Sequence, residues 1–131
     1  MLPLDILFVE RDPHVRDLAA QFLVGAGHRV ELALDGQEAL DKIRARKPDL
    51  LLCEILLPKL DGLALCRQLK ANPETRGILV LVLSILSGSA RASEAGADGF
   101  LLKPLAQHRL IAMVQALVAK RSPSARPQER A

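Results

Sequence analysis

The feature that most restricts the fold of this chain is a pair of short segments, 50–53 and 78–83, that are wholly apolar. A strand with apolar side chains on both faces has to be covered on both faces, which is typical of inner strands in a parallel sheet. Each segment is followed by a polar residue, Glu54 or Ser84. Functional groups of open parallel sheets lie beyond the carboxyl ends of the strands. Glu54 is therefore a candidate site residue, although it could also simply mark where the strand leaves the core.

Helical and strand patterns alternate along the chain. Apolar segments predict strands at 4–9, 29–33, 50–53, 78–83 and 99–102. Asp12-Pro13, Asp35 to Glu38 and Asp61-Gly62 have the residues typical of helix starts. A short helix is expected within 87–97 and a last one around 110–118. With right-handed crossovers, this order predicts an α/β fold, a doubly wound five-stranded parallel sheet with helices on both faces.

Charge and composition exclude several classes of function. Residues 1–119 contain 14 Lys or Arg and 14 Asp or Glu, so the net charge of +3 comes from the tail after residue 119. With no basic footprint on the folded part and only three aromatic residues, all Phe, no nucleic-acid binding by the folded domain is expected. No segment reaches the length of a membrane span, and no cationic leader precedes the first strand. We expect a cytoplasmic protein without membrane contact.

Cysteine and histidine positions give no sign of a redox or metal centre. Cys53 and Cys66 have neither CxxC spacing nor companions and are expected to be reduced core thiols. His14, His28 and His108 are scattered, and they are expected at the surface or at helix starts rather than around a metal ion.

Four stretches of the chain, taken together, resemble the receiver domains of bacterial two-component response regulators. They are I-L-F-V-E-R-D-P, P-D-L-L-L-C-E-I-L-L-P-K-L-D-G, L-V-L-S and G-A-D-G-F-L-L-K-P. They occur in the family's order and span nearly all of residues 4–119. The resemblance implies a flavodoxin-like (βα)5 receiver fold for residues 1–121, followed by a flexible tail or linker at 122–131.

The resemblance also implies a role for each position at the strand ends. In such receivers an aspartate accepts a phosphoryl group, two acidic residues hold Mg²⁺, a Ser or Thr and a Lys-Pro pair contact the phosphoryl oxygens, and an aromatic residue changes rotamer. The matching positions here are Glu54 for the acceptor, Glu10 and Arg11 for the acidic pair, Ser84 and Lys103-Pro104 for the phosphate contacts, and Phe100 for the aromatic residue.

Two of these positions depart from the family pattern. Glu54 replaces the aspartate, which misplaces the nucleophilic oxygen by one methylene, and Arg11 replaces an acidic residue with a fixed cation. Glu10 and Glu54 supply −2 and Arg11 and Lys103 supply +2, so the pocket is expected to be neutral without metal. Mg²⁺ binding and any other cofactor are therefore not expected, and phosphotransfer to residue 54 is disfavoured.

The sequence predicts instead that Lys103, Arg11 and Ser84 bind the Glu54 carboxylate. This ionic cluster either locks one conformation, resembling the activated one, or only satisfies buried charge. The segment between Ser84 and Lys103 is short by roughly one helical turn, which bears on the fourth helix, part of the face that many receivers use for output.

The leading interpretation is a pseudo-receiver without catalytic machinery, which acts by contacts with protein partners of a bacterial signalling pathway or with a second copy of itself. An alternative is a receiver still phosphorylated by a histidine kinase on a nearby aspartate, Asp12 or Asp61. A flavodoxin-like cofactor binder is disfavoured, because no G-x-G-x-x-G or P-loop pattern follows any strand and no Tyr or Trp is present to stack on a flavin.

Overall fold

A computed structural model describes residues 3–85 and 87–121. In this part of the chain five strands and five helices alternate. They are β1 (Asp5–Val9), α1 (Pro13–Gly25), β2 (Arg29–Ala33), α2 (Gly36–Ala45), β3 (Leu50–Glu54), α3 (Gly62–Ala71), β4 (Leu79–Ser84), α4 (Ser89–Glu94), β5 (Gly99–Leu102) and α5 (Gln107–Ala119). The tail predicted at 122–131 lies outside the described residues.

The five strands form one sheet in the order β2-β1-β3-β4-β5, and every neighbouring pair is parallel. Every residue of β3 and β4 is buried, as their wholly apolar segments predict, whereas β2 alternates between exposed and covered positions at one edge. One core cluster lies under α2, α3 and α4, and the other lies under α1 and α5. The predicted doubly wound, flavodoxin-like α/β fold is confirmed.

Three aspartates start three of the helices, as the sequence predicted. Asp12, Asp35 and Asp61 each accept a hydrogen bond of 2.8–2.9 Å from a backbone N–H two or three residues later. At the start of α2, Glu38 Oε1 accepts the backbone N–H of Leu34 at 2.7 Å, one residue before the cap. These caps fix where the loops at the carboxyl edge of the sheet enter their helices.

The loop between β3 and α3 folds tightly back on its own strand. The backbone N–H of Gly62 donates to the carbonyl oxygen of Ile55 at 2.9 Å. A Cβ atom at Gly62 would lie 2.1 Å from the carbonyl oxygen of Glu54, so this position has room only for glycine. In the segment between Ser84 and Lys103, α4 has only six residues, in agreement with the shortness of that segment in the sequence.

Buried polar and thiol groups partly match the sequence expectations. Cys53 and Cys66 are free, buried thiols, as predicted, and desolvation raises the pKa of Cys66 to about 11.

The expectation for His28 is wrong: its side chain is buried before β2, where Nδ1 accepts the backbone N–H of Leu4 at 3.1 Å. This bond joins residues 24 positions apart, so no local pattern revealed it. None of the helices in the described residues has the length and apolarity that crossing a bilayer requires.

Candidate functional site

Polar side chains from four strand ends come together at the carboxyl edge of the sheet. Glu10 follows β1, Glu54 ends β3, Ser84 ends β4 and Lys103 follows β5. Parallel strands present their carboxyl ends at one edge, and the order β1-β3-β4-β5 makes these strands consecutive. Glu10, Glu54 and Ser84 are each at most 4 % exposed. The site is therefore a buried polar cluster inside an otherwise apolar layer.

The ammonium group of Lys103 bridges two carboxylates. Its Nζ lies 2.5 Å from Glu54 Oε1 and 2.6 Å from Glu10 Oε1, and its side chain is only 9 % exposed. Burial lowers the pKa of Lys103, but hydrogen bonds and charge interactions with Glu10 and Glu54 raise it by more, so the pKa lies above its ordinary value. The lysine is therefore charged at neutral pH, and one cation serves two acids.

The other oxygen of each carboxylate is held by backbone N–H groups. Glu54 Oε2 accepts the N–H of Ile55 at 2.5 Å and that of Leu56 at 3.1 Å. Glu10 Oε2 accepts the N–H of Asp12 at 3.1 Å. Three of the four carboxylate oxygens thus accept a hydrogen bond, and the fourth, Glu10 Oε1, has Lys103 Nζ as its ion-pair partner. Pairing of this kind is the condition under which buried carboxylates are tolerated.

The expectation that Arg11 binds Glu54 is wrong. Its side chain is exposed, and it forms no ion pair with any residue in the described part of the chain. Glu10, Glu54 and Lys103 therefore carry a formal charge of −1 (two acids and one base) instead of the predicted zero. The physical reason is that three backbone N–H groups already donate to the carboxylate oxygens that Lys103 does not contact. Burying the guanidinium as well would cost its hydration.

The other predicted site residues do not all belong to this cluster. Ser84 is fully buried at the end of β4, and its carbonyl oxygen accepts the backbone N–H of Lys103 at 2.9 Å. The peptide bond between Lys103 and Pro104 is cis. Phe100 is half-buried on β5, pairs in register with Val82 and packs on the core cluster under α2 to α4. It belongs to the α4–β5 surface rather than to the ionic cluster.

The residues present do not fit the Mg²⁺ ion that the receiver fold implies. Mg²⁺ requires a near-octahedral set of oxygen ligands and keeps several waters. Here the carboxylate oxygens that face each other are already held by Lys103 Nζ, and residue 11, to which the resemblance assigns a second acidic ligand, is an exposed arginine. Within residues 3–85 and 87–121, no group of three or more His, Cys, Asp or Glu side chains is arranged to hold a metal ion.

The two aspartates considered as alternative acceptors both cap helices. Asp12 Oδ1 accepts the backbone N–H groups of His14 and Val15, and these bonds lower the pKa of Asp12. Asp61 Oδ1 accepts the N–H of Ala64 at 2.8 Å. Each carboxylate therefore has a structural role at the start of α1 or α3.

Sequence reasoning missed the backbone donors at Ile55 and Leu56. A main-chain N–H is present at every residue except proline, so residue identity does not show where it points. The signal that was available is Asp61-Gly62, because a glycine after the cap lets the loop return against Glu54. That return accompanies the turn in which residues 55 and 56 face the carboxylate.

Comparisons with known proteins agree with this geometry. A family model described as "Response regulator receiver domain" matches residues 6–115. The response regulator MprA of Mycobacterium sp. (strain KMS) is 40 % identical over 127 residues, which are 96 % of this chain and 55 % of that protein. The chain thus spans about half the length of the curated relatives it matches.

Solved structures show the same fold. The signal receiver domain of a signal transduction histidine kinase from Syntrophus aciditrophicus superimposes with a TM-score of 0.85 at 35 % identity, and the match covers 92 % of this chain and 93 % of that one. The receiver domain of NtrX from Brucella abortus gives a TM-score of 0.81 at 32 % identity, with 88 % and 98 % covered.

Proposed function

This chain belongs to the response regulator receiver domain family, and from that premise we propose that it is an atypical receiver which signals through protein contacts without phosphorylation at residue 54. In this proposal the Glu54 carboxylate supplies the negative charge that a phosphoryl group would otherwise bring, and the ammonium group of Lys103 binds that carboxylate permanently. The cytoplasmic location and the lack of enzymatic activity remain predictions.

The observation that carries this proposal is the complete occupation of the Glu54 carboxylate. Oε1 is held by Lys103 Nζ at 2.5 Å, and Oε2 is held by the N–H groups of Ile55 and Leu56. A carboxylate acting as nucleophile needs a free oxygen aligned with the attacked phosphorus. Here the longer side chain turns back to its own loop, so neither oxygen is available in that way.

The surroundings of Glu54 support the same conclusion. Phosphoryl transfer depends on a metal ion that neutralises the transferred group. With Arg11 at the second acidic position and Lys103 between the two carboxylates, the residues present do not fit Mg²⁺. The arrangement of these side chains therefore supports the proposal, because it favours neither a free nucleophilic oxygen nor the binding of the metal ion.

A permanent link between strand ends also has a consequence for signalling. The Lys103–Glu54 and Lys103–Glu10 ion pairs join the end of β5 to the ends of β3 and β1. We therefore expect the segment after β5 and the surface that includes Phe100 to keep one conformation whether or not a phosphate donor is present. A partner of a bacterial signalling pathway, or a second copy of the chain, would then bind without a phosphorylation signal.

The proposal is tested by incubating the protein with acetyl phosphate and Mg²⁺ and measuring the intact mass. We expect no addition of a phosphoryl group to the wild-type chain. The matched variant is Glu54→Asp combined with Arg11→Asp, which restores the acidic pattern of the family. We expect this variant to gain one acid-labile phosphoryl group, while Glu54→Asp alone gains little because residue 11 is still an arginine and supplies no acidic ligand.

Phosphorylation of the wild-type chain would contradict the proposal, and peptide mapping would then identify the acceptor. A phosphoryl group on Asp12 or Asp61 would support the alternative of a receiver that uses a neighbouring aspartate. The capping hydrogen bonds of both residues argue against that outcome, because an attacking carboxylate would have to turn from its N–H donor toward the phosphorus.

A further inference from the structure

A depression in the described part of the chain lies at the amino edge of the sheet, at the opposite end from the Glu54–Lys103 cluster. It has a volume of about 270 Å³ and lies between the last turn of α2 and the start of β1 and β2. Its wall contains apolar groups from Val30, Ala45 and Pro48. Pockets for drug-sized ligands begin at roughly 300 Å³, so this cavity fits a smaller molecule.

Cations predominate around this cavity. Arg29, Lys42, Arg46 and Lys47 contribute +4, and Asp5 and Glu31 contribute −2, which leaves +2. Residues 1–119 as a whole carry no net formal charge. A local excess of two positive charges is therefore balanced elsewhere on the domain rather than at the cavity itself. An anion would find a positive potential here that the average surface does not offer.

Two guanidinium groups already converge on one anionic group in this cavity. Arg29 Nε lies 2.5 Å from Asp5 Oδ1, and Arg46 Nη2 lies 3.1 Å from Asp5 Oδ2. Asp5 is largely covered, whereas the two arginine side chains are 59 % and 75 % exposed. A guanidinium has five N–H donors in a planar fork that matches carboxylate and phosphate oxygens. Asp5 thus orients both forks and leaves most of their donors for a further anion.

The helix dipole does not account for the whole cluster. Basic residues in the last turn of α2, such as Lys42, and Arg46 just after it stabilise the negative end of that helix. Arg29, however, lies on β2 and has no part in that effect. Two arginines from different elements that share one carboxylate beside an apolar wall form the pattern of a binding site for an amphipathic anion.

We propose that this cavity binds a small phosphate ester, with the phosphate on Arg29 and Arg46 and the apolar part against Val30 and Pro48. The site is independent of the proposed function of the Glu54 cluster, because the two lie at opposite ends of the strands. Occupation of the cavity would add a further link between β2 and the end of α2, which the ion pairs of Arg29 and Arg46 with Asp5 and the hydrogen bond from Lys42 Nζ to the carbonyl oxygen of Leu32 already connect.

The test is a titration of the full chain with AMP and, separately, with inorganic pyrophosphate at physiological ionic strength, followed by amide chemical shifts. We expect saturable binding with the largest shifts at residues 29–31 and 45–47. Arg29→Gln and Arg46→Gln should each weaken binding by about tenfold or more, as expected for lost hydrogen bonds to a charged group. The matched control is Arg44→Gln, an exposed arginine near the end of α2 that does not line the cavity.

Three outcomes would overturn the proposal. The first is the absence of saturable binding of both probes. The second is an equal loss of affinity in Arg44→Gln and Arg46→Gln, which would indicate general charge attraction. The third is a set of shifts centred on Lys103, which would place the anion at the carboxyl edge. Far-UV circular dichroism of each variant checks that the fold is retained, as expected for side chains this exposed.

Discussion

Replacement of Lys103 by methionine tests the central ion pairs most directly. Methionine keeps much of the length and apolar volume of the lysine stem but removes the ammonium group that lies 2.5–2.6 Å from Glu54 and Glu10. Two buried carboxylates then face each other with only backbone N–H partners. Loss of one member of a buried ion pair typically costs about 3–5 kcal/mol, and the bridging geometry places this substitution in that range.

The free energy of unfolding is measured by urea titration at pH 7. With a urea dependence of about 2 kcal/mol per molar, the midpoint should fall by roughly 2 M. Lys59→Met is the matched control, because the Lys59–Asp35 pair is 3.6 Å long and its lysine is 69 % exposed. Exposed pairs of that kind are worth about 0–1 kcal/mol. Equal losses in the two variants would refute the assignment of a buried bridge.

The dependence of this loss on pH provides a second check. Since the pKa of Lys103 is raised on folding, its contribution is fully present below about pH 10.5 and is lost as the pH rises through the folded value. Wild type and Lys103→Met should therefore converge in stability at strongly alkaline pH. A difference that stays constant across this whole range would show that lost packing, not charge, causes the effect.

Three further substitutions or conditions give distinct outcomes. Gly62→Ala should lower the free energy of unfolding by about 1–3 kcal/mol, because its Cβ would lie 2.1 Å from the carbonyl oxygen of Glu54. Gly25 has open space around it, so Gly25→Ala should be neutral or stabilising in the same urea assay. Burial lowers the pKa of His28. The melting temperature should therefore be highest above about pH 6.5 and should decrease as the pH falls through the pKa of His28 in the folded protein. A His28→Asn variant that shows the same decrease would contradict this. Arg11→Ala should change the stability by no more than about 0.5 kcal/mol, and a larger loss would mean that this exposed side chain takes part in the cluster.

Much of the fold followed from the sequence because the local and the global signals agree. The wholly apolar segments at 50–53 and 78–83 indicated strands covered on both faces, and β3 and β4 are buried throughout. Aspartates at helix starts were equally informative, since a capping bond involves only residues two or three positions apart. These signals depend on neighbours in the chain, so they can be interpreted without the tertiary structure.

The candidate site was largely predictable from the sequence, including the pairing of Lys103 with Glu54, but the assignment of Arg11 to it was wrong. The ends of parallel strands meet at one edge, so Glu10, Glu54, Ser84 and Lys103 were expected to gather there, and they do. Counting formal charges then placed Arg11 in the same pocket, which was wrong. A charge count assigns no direction to a side chain and ignores main-chain donors, whereas the N–H groups of this loop provide the polarity that the second cation was expected to supply.

Sequence alone thus determined the order of the elements, the sheet type and the set of polar residues at its carboxyl edge, because each depends on periodicity or on short-range capping. Only the tertiary structure decided that Lys103 bridges two carboxylates, that His28 is buried and that Arg29 and Arg46 meet on Asp5. Those contacts join residues between 24 and 93 positions apart. Which of them form is decided by the competition between hydration and burial for each polar group, and that competition is resolved only when the packed neighbours are in place.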